Sequence, residues 1–341
     1  MTAQPIAIKH TGLITSVGLS APAACAAIRA KIGNPTETRF LGSDGEWIMA
    51  HQVPLEQPWR GRAKLVKMAA MAIAECLDEI PRAHWSAIPL LLCVAERERP
   101  GRLDGLDDQL LVEIEEELGL HFALGSAIIP QGRVSAAIAL AEARKLLYDG
   151  KAPLVLIAAT DSLLTWPTLS RYERAERLLS SGNSNGFIPG EAAGAILMSR
   201  PGGPVELQCI GIGFGTEQAS IDADQPLRAD GLATAIRGAL SEARCELHDL
   251  DDRIADLSGE QYYFKEAALA LSRLLRQRKA EFDLWHPAEC IGESGAAAGI
   301  AMLAVADAAC RKAYSAGPHL LFHCANDAGR RAAAILRFSG A

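Results

Sequence analysis

Near the end of each half of the chain, the sequence repeats itself. EARKLLYDGKAPLVLIAATD (Glu142–Asp161) lies over AACRKAYSAGPHLLFHCAND (Ala308–Asp327) after a single gap. A Tyr, the turn after it, a Pro, an apolar strand and a closing acidic or amide residue line up. AAGAILM (Ala192–Met198) then lies over RAAAILR (Arg331–Arg337). One weak match is chance. A match inside the same order of elements points to a duplicated domain.

That order is an alternation of strands and helices. In the first half, apolar runs and cap signals predict strands at Ile6–Val17, Ile88–Ala95, Ala127–Pro130, Pro153–Ala159 and Ala192–Ser199. Helices are expected at Ala21–Ala30 behind a Ser20 cap, Ala63–Ile80, Leu106–Leu118 and Val134–Tyr148, with a polar loop SSGNSNGFIPG before the last strand. PGGP (Pro201–Pro204) opens the second half. There, strands are expected at Val205–Phe214, Arg253–Leu257, Phe282–Trp285, His319–Ala325 and Ala332–Phe338, and helices at Leu232–Cys245, Tyr262–Arg276 and Ser294–Tyr314. Both halves, 1–200 and 205–341, read β-α-β-α-β-α-β-β, with one extra helix early in the first. Parallel strands joined by helices must be covered on both faces. Two such halves can share their smallest, most apolar helices, Val134–Tyr148 and Ser294–Tyr314, between two sheets. The expected fold class is therefore α/β in five layers, α-β-α-β-α.

Charge and cysteine usage exclude several functions. With 34 Lys and Arg against 41 Asp and Glu, and no basic-aromatic stripe, nucleic-acid binding is not expected. The start, MTAQPIAIKH, lacks the basic and apolar regions of a leader, and no apolar run suits a membrane span. The eight Cys are scattered without a CxxC, which reads as reduced, buried thiols in a cytoplasmic protein. No metal or cofactor is expected. His323–Cys324 lies in an apolar strand without further ligands nearby, and Pro287 disfavours a helical dyad of His286 with Cys290. GIGFG (Gly211–Gly215) lacks the third Gly of a dinucleotide loop and reads as a strand-end turn. EIEEE (Glu113–Glu117) is a solvated helix face.

The duplicated five-layer pattern is that of the thiolase fold, and the residues resemble its β-ketoacyl synthase branch. GLITSVGLS (Gly12–Ser20) is similar to the opening strand of a ketosynthase. GFIPGEAAGAIL (Gly186–Leu197) resembles the Gly-Phe-x-x-Gly-Glu-x-Ala segment through Gly186, Phe187, Gly190 and Glu191. IGESGAAAGIA (Ile291–Ala301) resembles Ile-Gly-His-x-x-x-Ala-Ala-Gly. The resemblance implies acyl-thioester condensation by a Cys at a helix N-terminus, where free N–H groups lower the thiol pKa. Two His and an oxyanion hole would assist. It also implies a homodimer made through an edge strand near the nucleophile helix, here Ala127–Pro130.

At each catalytic position this sequence departs from that pattern. The nucleophile register, anchored by Ser135, Ala139 and Ala143, falls on Arg133, which stays protonated and cannot attack. The first His register, in LSGEQY, falls on Ser258 or Glu260. The second falls on Glu293, or on Glu289 if the thiolase His-Pro-x-Gly-x-Ser-Gly pattern is used. The closing Gly-rich segment reads CANDAGRRAAA. Chain-length factors of some synthases carry Gln for the Cys, and Gln131 sits two residues from that register. Residues that could still line a pocket are Gln131, Ser135, Glu260, His286, Glu289 and Cys324.

Three functions follow from this. The first is a non-catalytic accessory protein that binds a client, such as a type VI secretion effector or adaptor. The second is an acyl-thioester protein: a chain-length-factor-like partner of an active synthase, or an acyltransferase. It would bind acyl carrier protein through a basic patch, for which RGRAKLVK (Arg60–Lys67) is the candidate. The third is an acyl-ligand sensor using the old tunnel. Arg133 and Glu293 could then form either a structural ion pair or an anion-recognition site.

Overall fold

The computed structural model describes residues 4–150 and 152–340. Residues 1–3 and 341, at the outer ends of the two expected halves, and Lys151 in the repeat lie outside the described residues.

The first half runs β1 (Ile6–Ile14), α1 (Ala21–Arg29), a hairpin of β2 (Thr36–Leu41) and β3 (Trp47–Ala50), α2 (Gly61–Cys76), β4 (Leu90–Val94), α3 (Gln109–Leu118), β5 (Ala127–Pro130), α4 (Ser135–Tyr148), β6 (Leu154–Ser162), α5 (Trp166–Arg174) and β7 (Glu191–Ser199). The second runs β8 (Glu206–Thr216), α6 (Asp230–Ala243), β9 (Asp252–Ala255), α7 (Gln261–Leu274), β10 (Leu284–Trp285), α8 (Ala288–Ile291), α9 (Ala298–Arg311), β11 (His319–Ala325) and β12 (Arg330–Ser339).

The strands form one continuous sheet in the order β10-β9-β11-β12-β8-β1-β7-β6-β4-β5. Leaving out the hairpin, each half runs from its first strand to its fifth, fourth, second and third. Within each half the fifth strand is antiparallel and the others on its far side are parallel. The duplication read from the sequence is therefore present in the topology. The halves join where Ile6, Ala7 and Ile8 pair with Cys209, Gln208 and Leu207.

Period-2 alternation assigns each strand's two faces to different helices. Val155, Ile157 and Ala159 of β6, and Leu320, Phe322 and Cys324 of β11, share one core with α4 and α9. Leu156 and Ala158 face α2 and α3 instead. Leu321 and Ala325 face α6 and α7. The two halves of this continuous sheet thus form two of five layers, α2/α3, sheet, α4/α9, sheet, α6/α7, as expected. All but a few of α9's residues are buried, which explains a helix so poor in charge.

Three features were not expected from the sequence: the β2–β3 hairpin, α5 and the single turn α8. GIGFG is also not a turn. It lies inside β8, and its three glycines face α6. A Cβ on Gly211, Gly213 or Gly215 would stand 2.3, 2.0 or 2.1 Å from the carbonyl oxygens of Ala239, Ala235 and Gly231. The glycines leave this stretch of the strand face without side chains, so the helix backbone rests directly on the strand. Gly12 does the same for α2 on β1, where a Cβ would stand 2.0 Å from the Ala72 oxygen. Gly213→Ala should force α6 off the sheet and cost about 1–3 kcal/mol in urea denaturation. An unchanged midpoint would show that the helix can shift freely.

Candidate functional site

α4 and α9 each begin with a tight turn at the carboxyl end of the parallel strands. Gly132–Val134 leads into α4 and Gly295–Ala297 into α9. Gly132 and Gly295 have φ of +57° and +58°. In both cases a carboxylate fills the space a Cβ would take. Glu96 Oε2 lies 2.0 Å from that point at Gly132, and Asp161 Oδ2 lies 2.1 Å from it at Gly295. Arg99 ties the two together. Its Nη2 donates to Glu96 at 2.6 Å and its Nη1 to Asp161 at 2.7 Å, while the Ala296 N–H donates to Asp161 at 2.8 Å.

Arg133 occupies the centre of this junction and is almost fully buried. Its Nη1 donates to Glu293 at 3.3 Å and its Nη2 to Asp327 at 2.9 Å. Its Nε is 3.9 Å from Asp256, and its guanidinium lies 4.4 Å above the Tyr263 ring. Arg177 adds a second layer. It grips Glu260 in a bidentate pair at 2.6 and 2.9 Å and reaches Asp327 at 2.7 Å. It also stacks on Tyr172 and Phe187. Tyr263 donates to Asp327 at 2.5 Å. Beside them, Arg331 and Glu266 form a fully buried pair in which the Arg331 Nε–H is shared between both Glu266 oxygens.

Burial and these partners set the carboxyl groups apart. Burial pushes Asp256 up to about 7 against the pull of Arg133. Burial also raises Glu293, opposed by Arg133 and the Gly295 N–H. Burial alone would raise Asp327, but Arg133 and Arg177 hold it well below the usual carboxylate range. The cluster is closely filled: the cavity between Arg99, Arg133, Arg177, Glu260, Glu293 and Asp327 holds about 20 Å³, room for one water.

The structure thus brings Arg133, Glu260 and Glu293 together and leaves the other expected residues around or away from them. Ser258 Oγ is buried facing Glu293 without reaching hydrogen-bonding geometry. Ser135 is committed to the turn: its Oγ donates to the Ile129 carbonyl at 3.0 Å and accepts the Gln131 N–H at 3.1 Å. The Gln131 side chain accepts from Arg330. Cys324 is buried in the core, where burial raises its thiol well above the ordinary value. His286 and Glu289 do not line the cavity. His286 packs edge-on against Phe264, and Glu289, on the separate turn that starts at Pro287, is exposed and lies 3.8 Å from Lys31.

The GFIPGE segment holds the site from behind. Phe187 lines the cavity. The Gly190 N–H donates to the Glu293 carbonyl at 2.9 Å, and the Glu293 N–H returns to Ile188 at 2.8 Å. A Cβ on Gly190 would stand 2.3 Å from the Ile291 oxygen, and on Gly186 2.5 Å from Leu178. Glu191 accepts the Val53 N–H and the Ser162 hydroxyl, both at 2.9 Å, and pairs with Lys64.

Sequence reasoning missed Arg99, Glu96, Arg177 and Tyr263. It did contain Asp161 and Asp327, which close the two repeated segments and end at corresponding strand ends in the cluster. The basic segment Arg60–Lys67 is largely neutralised: Arg62 pairs with Glu113, Lys64 with Glu191 and Lys67 with Glu117.

Among the described residues no helix is long and apolar enough to cross a membrane, and no cluster of His, Cys, Asp and Glu could hold a metal ion. All eight cysteines are free, seven of them buried. Burial raises the thiols, Cys25 to about 12 and Cys209, Cys245, Cys290 and Cys310 to about 11. A thiol-specific reagent at pH 7.5 should therefore label at most Cys245 quickly in the native protein, and every cysteine after denaturation. Rapid native labelling at any other position would reveal a reactive thiol.

No protein-family model and no curated protein sequence matches the chain. Solved structures match over nearly its whole length. The ishigamide ketosynthase/chain length factor matches with a TM-score of 0.81 at 16% identity, covering 99% of this chain and 100% of that one. The AntDE:AntF complex, a type II PKS acyl-carrier protein with its ketosynthase, matches with 0.81 at 13% identity, covering 98% and 100%. The ketosynthase ApeO in complex with its chain length factor ApeC, from Xenorhabdus doucetiae, matches with 0.75 at 12% identity, covering 98% of each. Such identities carry the architecture and not the chemistry. The chain is therefore a thiolase-fold protein, ketosynthase-like in its architecture.

Proposed function

We propose that this chain is a non-catalytic ketosynthase-like protein that acts by binding another protein. The observation that supports this is the Arg133 cluster. Where the resemblance expects a thiol nucleophile and two imidazoles, it aligns Arg133, Ser258 and Glu293. Arginine keeps its proton, and Glu293 and Asp327 both hold it in place. A cavity for one water leaves no space there for an acyl chain. The test is exposure to acetyl- and decanoyl-coenzyme A followed by intact mass measurement. The expected result is an unchanged mass. A covalent adduct that disappears on substitution within the cluster would overturn the reading.

A second reading of the partner has support in the neighbours, which pair ketosynthases with chain length factors. In it, this chain docks against an intact ketosynthase through β5. That strand ends the sheet and, among the described residues, pairs on one side only, with β4, leaving its outer edge open. A homodimer would use the same edge. Ala127→Arg should then convert a dimer of either kind to monomer in size-exclusion light scattering. A dimer that survives would exclude β5 as the contact. The neutralised Arg60–Lys67 segment gives the acyl-carrier alternative little support. Co-purification from the native cell separates the clients: a ketosynthase or acyl carrier protein favours acyl biosynthesis, and a stoichiometric effector or adaptor favours a secretion role.

A further inference from the structure

The β2–β3 hairpin lies outside the ten-stranded sheet; among the described residues β3 pairs only with β2, and the next residue, His51, bridges to Gly190. Its inner face is anchored: Phe40 and Ile48 pack against the cluster of Leu163, Leu169, Tyr172, Leu178 and Phe187. Its outer face is exposed and carries an apolar strip, with Glu37 opposite Met49. Leu41, Trp47 and Met49 are 47%, 49% and 39% exposed, and Leu179, across a groove, is 42% exposed. Leu41 and Trp47 are cross-strand partners, so this is one strip and not scattered residues. The groove between β3 and the 178–183 segment encloses about 600 Å³. Its charged lining residues are Asp44, Glu46, Glu173 and Glu176, with no Lys or Arg among them.

We infer that this groove receives an extended basic segment of a partner protein, which adds as a strand along β3. Three features choose that occupant. A free strand edge offers main-chain groups to an extended peptide. An apolar strip gives alternate side chains somewhere to bury. Four carboxylates without a cation select Lys and Arg between those apolar positions. The same four carboxylates disfavour a second copy of this chain, which would bring an identical acidic rim. They also disfavour an acidic carrier protein. The groove is separate from the Arg133 cluster, so the inference does not depend on that site being inert.

The test uses a fluorescent synthetic peptide, Lys-Val-Arg-Leu-Lys-Val-Arg-Leu, and fluorescence anisotropy on the full chain. Saturable binding is expected, with protection of the Trp47–Met49 amides in hydrogen exchange. Glu46→Lys with Glu176→Lys should weaken binding about tenfold or more, whereas Glu98→Lys with Glu116→Lys, an equal charge change elsewhere, should not. A peptide with Glu in place of Lys and Arg, and one with Pro in place of Val, should fail to bind. The inference is overturned by no binding, by equal loss in both double variants, by binding of the acidic peptide, or by absence of protection on β3. It is also overturned if Trp47→Ser dissociates a homodimer, since a second copy would then occupy the strip.

Discussion

Arg133→Met is expected to lower the unfolding free energy by about 3–5 kcal/mol, the range for removing one partner of a buried ion pair. The variant leaves buried Glu293 and Asp256 without an ion-pair partner, with only the weaker pull of Arg99 on Glu293 and of Arg331 on Asp256, and leaves Asp327 to Arg177. Methionine keeps much of the volume, so the loss reports charge and not a cavity. Against a total stability of about 5–15 kcal/mol, such a loss can leave the variant insoluble. The double variant Arg133→Met, Glu293→Gln guards against that outcome. It removes both members of the central pair and should recover part of the loss, measured as urea midpoints. If the single variant loses less than about 1 kcal/mol, water reaches the cluster and Arg133 is not a buried strut. The larger loss would explain why the site keeps a demanding arrangement: the charges hold the starts of α4 and α9 together.

Asp256→Asn should act in the opposite direction, and only at higher pH. The buried carboxyl titrates near 7 in the folded protein, against an ordinary value of 3.8. Between those values the native state holds the proton and the unfolded chain has lost it. The unfolded state therefore binds fewer protons, and stability falls as pH rises from about 4 to 7. Above pH 7 the wild type carries the full penalty. An amide does not ionise, so the variant should gain a few kcal/mol at pH 8 and little at pH 4. The Ala325 N–H, donated to Asp256 Oδ2 at 3.0 Å, can still be accepted by the amide oxygen. Thermal unfolding of both proteins across this range is the measurement. Parallel curves would show that Asp256 is ionised throughout. Asp327 opposes this trend: its carboxyl is depressed, so its contribution is present above about pH 4 and lost in acid.

The layers, the duplication and most strands were legible because they rest on periodicity, which a sequence displays directly. α9 reads as a central helix from AGIAMLAVADAAC alone. What escaped were elements stabilised by neighbours. The β2–β3 hairpin carries TETRFL and WIMA around a Ser-Asp-Gly turn, yet only one face is buried, and by residues from α5 and the 178–187 segment. α5 had a cap signal in Thr165 with Pro167 behind it, hidden in a polar stretch. The site was half legible. Register placed Arg133 and Glu293 at aligned positions, and the structure joins them. Arg99 and Arg177 sit in loops, where no period marks a residue, and only three-dimensional convergence reveals what they hold. His286 and Glu289 failed for the reverse reason: chain proximity to the Glu293 motif did not survive the turn at Pro287.

The seam between the halves has a consequence for how the chain is made. β1 lies in the middle of the sheet, flanked by β7 and β8, so its hydrogen-bonding partners are synthesised last in the first half and first in the second. At about 5–20 residues per second, an emerging β1 waits roughly ten to forty seconds for them. Until β7 emerges its apolar run has no mate, and the edge of β1 at Ile6–Ile8 stays open until β8 follows. Chaperone occupancy on nascent chains should accordingly fall only after β8 has cleared the exit tunnel.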